Sequence, residues 1–390
     1  MMHTQSSTPV VFTNAQLVLQ EEVVQGSLSS QHGLIQSIDS GQTSVPHAID
    51  LEGDYLLPGL VEVHTDNFEL HMMPRPKVRW DDAPAVLAHD AEIAAAGITT
   101  VLDALGVGEA DPDSIRGKEW DTVLTCLTGF ANLGVLRAEH YLHVRCELPA
   151  PNTLELFRPF VGNHLVKMIS VMDHTPGQRQ WENLEQAWIY FSGKKGWSKE
   201  KFEQRVAIAL EAQARYAKPH RTYFTQYCQD NNITLASHDD TTVAHVEEAF
   251  AEGATVCEFP TTVAAAQASK ARNMFNIMGG PNVVRGGSHS GNVSATELVK
   301  LGLVDILSSD YVPGSLISAM VRLTEITDLS LPQAVALVSR NPAKAIGLHD
   351  RGTLETGLRA DLIQVRMITL PDGRQQPVVR AVWRAGVRVV

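Results

Sequence analysis

The sequence predicts an α/β protein: a (β/α)8 TIM barrel carrying a small β-domain built from both chain termini. Three observations predict it. Apolar strand-like runs alternate with helix-like stretches through the middle of the 390 residues; both ends show short alternating segments between turn residues; and His, Asp and Glu recur where the middle strands stop. An open doubly wound sheet is the competing fold, but neither Gly-x-Gly-x-x-Gly nor a Walker sequence follows the first strand.

At the N-terminus, Val10-Val11-Phe12, Gln16-Leu17-Val18-Leu19 and Gly33-Leu34-Ile35 have the texture of small antiparallel strands, and the texture returns in Ala360-Asp361-Leu362-Ile363, Ala381-Val382-Trp383 and the last four residues. Chain termini often lie close together, so residues 1–57 and 351–390 are expected to form one composite β-domain around a barrel of residues 58–350. Barrel strands are expected near 60–63, 98–103, 141–148, 165–172, 233–237, 254–258, 275–278 and 304–307. Helices are expected at 84–96, 119–132, 199–216, 241–251, 263–271, 294–301 and 316–326.

Composition narrows the function classes. With 44% hydrophobic and 19% charged residues the chain is globular, and a formal net charge of -12 argues against nucleic acid or a membrane surface as partner. The acidity leaves room for a small anionic substrate, which needs only a local cluster of cations. Cys126, Cys146, Cys228 and Cys257 form no Cys-x-x-Cys pair, so neither a disulfide framework nor a zinc ribbon is expected and a reducing cytoplasm is the natural setting. No apolar run approaches the ~20 residues of a membrane span, and the first residues lack a signal-peptide pattern. The composition is compatible with a homo-oligomer.

The stretch from Leu56 to Asn67 anchors the functional reading. Behind the Pro58-Gly59 turn, Leu60, Val61 and Val63 form a buried strand ending in His64 and Asp66, whose side chains share one side of an extended chain. That pair fits either two ligands of a divalent metal or a His-Asp hydrogen bond. In a (β/α)8 barrel all strand ends face one site, so Glu147, Asp173-His174, His238-Asp239-Asp240, Glu258 and Asp310 become neighbours of His64 and Asp66. Such a ring suits zinc first, or manganese or iron, as one or two ions. Asp310, at the last strand end, reads either as a helix cap or as a metal ligand that takes a proton from water; the second reading is preferred. Lys167 lies several residues before its strand's end and reads as structural.

Three stretches suggest anion binding. Pro74-Arg75-Pro76-Lys77-Val78-Arg79 places cations on a stiff loop behind the first strand. Gly279 to Asn292 is a glycine-rich loop offering Arg285, Ser288, His289, Ser290 and Asn292 as donors, and His174 to Gln180 adds His174 and Arg179. The bland alternatives are a solvated basic loop and plain glycine turns.

The framing strand, the Pro-Gly turn, the last-strand Asp310 and the closing Gly352-Thr353-Leu354-Glu355-Thr356-Gly357 resemble the amidohydrolase superfamily of metal-dependent hydrolases. His64-Thr65-Asp66-Asn67, Met172 to Gln180, Ser237-His238-Asp239-Asp240, Glu258-Phe259-Pro260-Thr261-Thr262, Pro281 to Asn292 and Ser308-Ser309-Asp310-Tyr311 resemble its diphosphatases of phosphonate metabolism. The resemblance implies hydrolysis of α-D-ribose 1-methylphosphonate 5-triphosphate to the 5-phosphate and pyrophosphate in the carbon–phosphorus lyase pathway. By analogy it implies His64 and Asp66 on one ion, His238 on the other, Glu147 shared between them and Glu258 as a further ligand. Arg75, Lys77, His174, Arg179, Arg285 and His289 would then bind the phosphates. The chain departs from the superfamily pattern in carrying His-x-Asp for His-x-His and Glu258 in place of a histidine. A conventional amidohydrolase acting on a cyclic amide or N-acyl substrate is the alternative, and it leaves the basic loops unused.

Overall fold

Both ends of the chain go into one sheet and its middle into another. A computed structural model describes residues 9–75, 78–108, 120–179, 184–287 and 292–390. The N-terminal segment supplies β1 (Val10–Val18), β2 (Val23–Gln31), β3 (Leu34–Ser40), β4 (Ile49–Asp50) and β5 (Tyr55–Pro58). Pro58 and Gly59 then turn the chain into the barrel. A Cβ on Gly59 would lie 2.2 Å from Thr99 Oγ1, so the close approach of the turn to the neighbouring strand needs glycine.

Eight parallel strands follow, paired in sequence order: β6 (Leu60–Thr65), β7 (Ile98–Val107), β8 (Glu139–Glu147), β9 (Val166–Met172), β10 (Thr234–His238), β11 (Val256–Glu258), β12 (Phe275–Gly279) and β13 (Ile306–Ser308). Val61, Val63, Leu102, Met168, Ala236, Val256, Ile277 and Ile306 form one buried cluster contributed by seven of them, the packed interior of a barrel. The ring closes through a parallel bridge between Thr65 and Asp310, with Asp310 N–H donating to the His64 carbonyl at 3.1 Å and Asp66 N–H to the Asp310 carbonyl at 2.6 Å. Buried Glu62 reinforces this seam, accepting from the His64 amide at 2.7 Å and the Ser309 amide at 2.6 Å. The fold is thus a (β/α)8 barrel with a separate, largely antiparallel sheet in which β1 pairs in parallel with β5 and β4.

That second sheet is completed by β14 (Leu362–Thr369), β15 (Gln375–Arg384) and β16 (Val387–Arg388), in the order β16-β15-β14-β5-β1-β2-β3 with β4 beside β1. One layer of it, with Phe12, Leu17, Leu56 and Trp383, makes its own core, and Phe12 meets Trp383 edge to face at 4.8 Å. The other, with Ile363, Val365 and Val382, joins the apolar cluster under the barrel's last helices. Arg351 and Arg359 both bind Glu139 at the start of β8, which ties sheet to barrel.

Among the described residues one expected helix runs longer than its sequence suggests, and several short helices lie outside the expected ones. Pro219 argues for an end near residue 216, yet the helix runs Lys199–Asn231, 33 residues, to a left-handed cap at Asn232. An interior proline costs about 3 kcal/mol, and the burial of Phe224 and Cys228 beyond it outweighs that. The glycine-rich stretch after β12 opens with a short helix, Gly280–Arg285, with Pro281 in its first turn and Gly286 as left-handed cap. Among the described residues no helix is long and apolar enough to cross a membrane.

Candidate metal centre

The C-terminal strand ends converge on one cavity of about 200 Å³, lined by His64, His174, His238, Asp239, Arg285 and Asp310 among others. Asp239, Phe259 and Asp310, just past β10, β11 and β13, have φ of 54°, 53° and 56°. Left-handed backbone without glycine costs of order 1–3 kcal/mol per residue, and three such positions on one rim mark a site whose geometry is held against that cost.

Glu258 sits at the bottom, fully buried. Its Oε1 accepts from His64 Nδ1 at 2.5 Å and its Oε2 from His238 Nδ1 at 2.6 Å, and the two rings stack at 6.3 Å. Burial pushes this carboxyl up, but the surrounding imidazoles hold it well below the ordinary carboxylate range. Glu147 does the same for His174, accepting from its Nδ1 at 2.5 Å and its amide at 2.9 Å. Each histidine therefore donates through Nδ1 and turns Nε2 toward the cavity, the arrangement by which carboxylates orient metal-binding imidazoles.

The Nε2 atoms face carboxylates at distances that suit shared ions better than hydrogen bonds. His64 Nε2 is 3.8 Å from Asp66 Oδ1, His174 Nε2 is 3.8 Å from Asp239 Oδ2, and His238 Nε2 is 3.5 Å from the same oxygen. Two ligands of one tetrahedral ion, each at ~2.1 Å, stand about 3.4 Å apart. His64, Asp66 and Asp310 form one group with ligand atoms within 4.8 Å of one another, and His174, His238 and Asp239 form another. These residues fit one ion each, with Glu258 between them. Burial holds the Asp310 carboxyl above its ordinary value, against the opposing pull of His64. It is no helix cap: the helix that follows starts at Ser315 behind Gly314.

A third grouping, His89, Asp103 and His140, lies under the helix Asp82–Ala95 and is a closed network. Asp103 accepts from His89 at 2.7 Å and His140 at 2.8 Å; His140 also donates to Asp90 at 3.3 Å, and Asn67 bonds the other nitrogen of His89 at 3.2 Å. Every ring nitrogen is used, so this group holds helix to barrel.

A family model described as amidohydrolase family matches residues 210–390. The α-D-ribose 1-methylphosphonate 5-triphosphate diphosphatase of Escherichia coli strain K12 is 45% identical over 383 residues, 97% of this chain and all of that one. The chain belongs to the amidohydrolase family. Solved structures sharing the fold include N-acetylglucosamine-6-phosphate deacetylase from Pasteurella multocida, at a TM-score of 0.62 and 12% identity over 98% of this chain and 99% of that one. Another is 5-methylcytosine deaminase from Klebsiella pneumoniae, at 0.62 and 16% identity over 98% of this chain and 97% of that one.

Seen as an amidohydrolase centre, the site departs from the sequence expectations at several residues. The structure brings His64, Asp66, His238, Asp310, His174 and Arg285 together. Glu258, expected as a ligand, forms a further group with His64 and His143 whose ligand atoms lie within 4.8 Å of one another, while both its oxygens accept from histidine Nδ1 atoms; Glu147, also expected as a ligand, accepts from the His174 Nδ1 and amide, and Asp239 stands where the expected ligand set had no residue. His174, expected on the phosphates, turns its Nε2 to Asp239 in the second group. Arg179 does not reach the cavity as a phosphate reader: it is buried, bonded to Asp240 and, at 3.0 Å, to the His238 carbonyl, so it props β10 from behind. Arg75 is exposed on its loop and is not among the residues lining the cavity. Lys77 and His289 lie outside the described residues. Lys167 rests over the Tyr141 ring at 5.3 Å, away from the centre. Arg145 lines the cavity and was not among the residues expected there from the sequence. It donates to Asp66 at 2.7 Å, and the carboxylates of Asp66, Glu258, Glu69 and Asp310 around it keep it charged despite burial. Its place two residues before Glu147 on the same strand was the available signal.

Proposed function

We propose that this amidohydrolase hydrolyses α-D-ribose 1-methylphosphonate 5-triphosphate to the 5-phosphate and pyrophosphate, using divalent ions held by His64, Asp66 and Asp310 and by His174, His238 and Asp239. The observation that carries the reading is that one cavity joins both His/Asp groups to Arg285 and Arg145, cations beside ligands. The near full-length likeness to a diphosphatase of that name supports it. Zinc suits the mixed nitrogen and oxygen donors best, with manganese or iron as substitutes. Free Cys146, Cys228 and Cys257, all buried, accord with a cytoplasmic setting.

Bound divalent ions would supply charge neutralisation and a lowered pKa for water at the centre. Asp310 accepts the proton of the attacking water. As the water oxygen bonds to the α-phosphorus, the bond from that phosphorus to the bridging oxygen breaks and pyrophosphate leaves with the electron pair. Arg285 and Arg145 offset the charge that grows on the departing oxygens, an electrostatic contribution to the transition state. Glu258 and Glu147 keep three imidazoles aimed throughout.

The test is a panel of sugar triphosphates, cyclic amides and N-acyl amino acids with phosphate, pyrophosphate and ammonia measured in parallel. Pyrophosphate from the ribose triphosphate, abolished by chelator and restored by metal, is expected. Ammonia or carboxylate release from an amide, with no pyrophosphate from any triphosphate, would install the conventional amidohydrolase reading instead.

A further inference from the structure

The reaction cavity is small for the whole substrate. At about 200 Å³ it falls below the roughly 300–1,000 Å³ in which proteins enclose small molecules, so the sugar and its 1-substituent need other room. A second chamber of about 470 Å³ adjoins it, and Arg145 and His174 line both. Its outer wall is one face of the helix Lys199–Asn231, where Phe202, Arg205, Val206 and Ala209 follow at helical spacing, with Trp197 just before the helix and Met172 at the end of β9.

Glu69, Arg145, Glu147 and His174 also line the chamber, and on the helix that forms its outer wall Arg205 is the one charged lining residue. Thr175 is buried and its hydroxyl has no hydrogen-bond partner among the described residues, although it lines the chamber. Arg205 lies over the Trp197 ring at 5.9 Å, which fixes a cation at an otherwise apolar surface. A single cation set among apolar side chains on the outer wall matches a phosphonate monoanion whose far side is an alkyl group.

We infer that this chamber binds the end of the substrate that does not react: Arg205 pairs with the 1-phosphonate, and Trp197, Phe202 and Val206 receive its alkyl group. The assignment rests on the proposed diphosphatase activity and adds the residues that read the leaving-group-distal end. Because the chamber exceeds what a methyl group fills, 1-ethyl- and 1-butylphosphonate analogues are also substrates.

The experiment compares ribose 1-methylphosphonate 5-triphosphate with ribose 5-triphosphate, which lacks the phosphonate, in wild type and Arg205→Gln, reading pyrophosphate. Arg205 is half-buried on the helix face, so the variant folds; circular dichroism checks this. Loss of one charge-assisted contact should lower kcat/KM by about 10–150-fold on the phosphonate substrate and by less than about threefold on ribose 5-triphosphate. In a second arm, Ala209→Trp should depress turnover of the 1-butylphosphonate analogue more than that of the methyl substrate. Equal losses on both triphosphates in Arg205→Gln, or no loss on either, overturn the chamber assignment while pyrophosphate release by the wild type keeps the diphosphatase reading. Absence of pyrophosphate from both substrates in the wild type removes that reading and this inference with it.

Discussion

With Oε1 on one imidazole and Oε2 on the other, Glu258 sets the tautomer of His64 and His238 together. In Glu258→Gln the amide nitrogen cannot accept, so one ring must turn or change tautomer. Metal affinity should fall about 10–100-fold, read by competition with a fluorescent chelator, because orienting carboxylates contribute on that scale. An unchanged affinity would return Glu258 to a packing role. Asp310→Asn tests proton acceptance: kcat should fall by ~10²–10⁴-fold, the usual contribution of a general base. A loss below about tenfold would leave Asp310 with the barrel seam alone, where its backbone already serves. The sequence disclosed which polar residues end strands, since apolar runs stop there. It did not disclose which carboxylates face a histidine and which face the cavity, because Glu258 and Asp239 are both carboxylates at or just past a strand end. Arg179 misled for a related reason, as a cation near a strand end serves an anionic ligand or a buried carboxylate equally well, and Asp240 is the one it meets.

At the scale of elements, the eight barrel strands were legible because each is a short apolar run between turn residues, and their observed positions follow the runs. The helix past Pro219 was not, since its continuation depends on Phe224 and Cys228 finding a core that only the fold supplies. The buried network that seats the helix Asp82–Ala95 was equally hidden, because His89, Asp103 and His140 come from three elements. It yields a pH prediction. Although burial pulls His140 down, Asp103 and Asp90 raise it to about 9, above an ordinary histidine near 6.5. A raised histidine contributes stability that is fully present below about pH 6.5 and is lost as pH rises through about 9. Urea midpoints of the wild type should therefore fall from pH 6.5 to 9.5, and those of His140→Gln, lower at pH 6.5, should change less over the window. Parallel curves would show that His140 is neutral in the folded chain.

For the molecule as a whole, the antiparallel sheet draws strands from both ends of the chain and packs on the barrel's last helices, so the barrel's rim stays clear for chemistry. Sequence made both sheets legible through their different periodicities. It could not show two adjoining cavities, because a cavity is bounded by residues far apart in the chain: Arg145, His174 and the Phe202 face meet only when β8, β9 and the long helix assemble. The central claim is that Glu258 separates two ion sites, His64/Asp66/Asp310 and His174/His238/Asp239. Elemental analysis of the purified chain, loaded with zinc and dialysed, tests it most directly when wild type, His64→Ala and His174→Ala are measured side by side with pyrophosphate release. Two ions per wild-type chain, about one in each variant, and strongly reduced turnover in both are expected. One ion per wild-type chain that persists in His174→Ala with full activity would contradict the account.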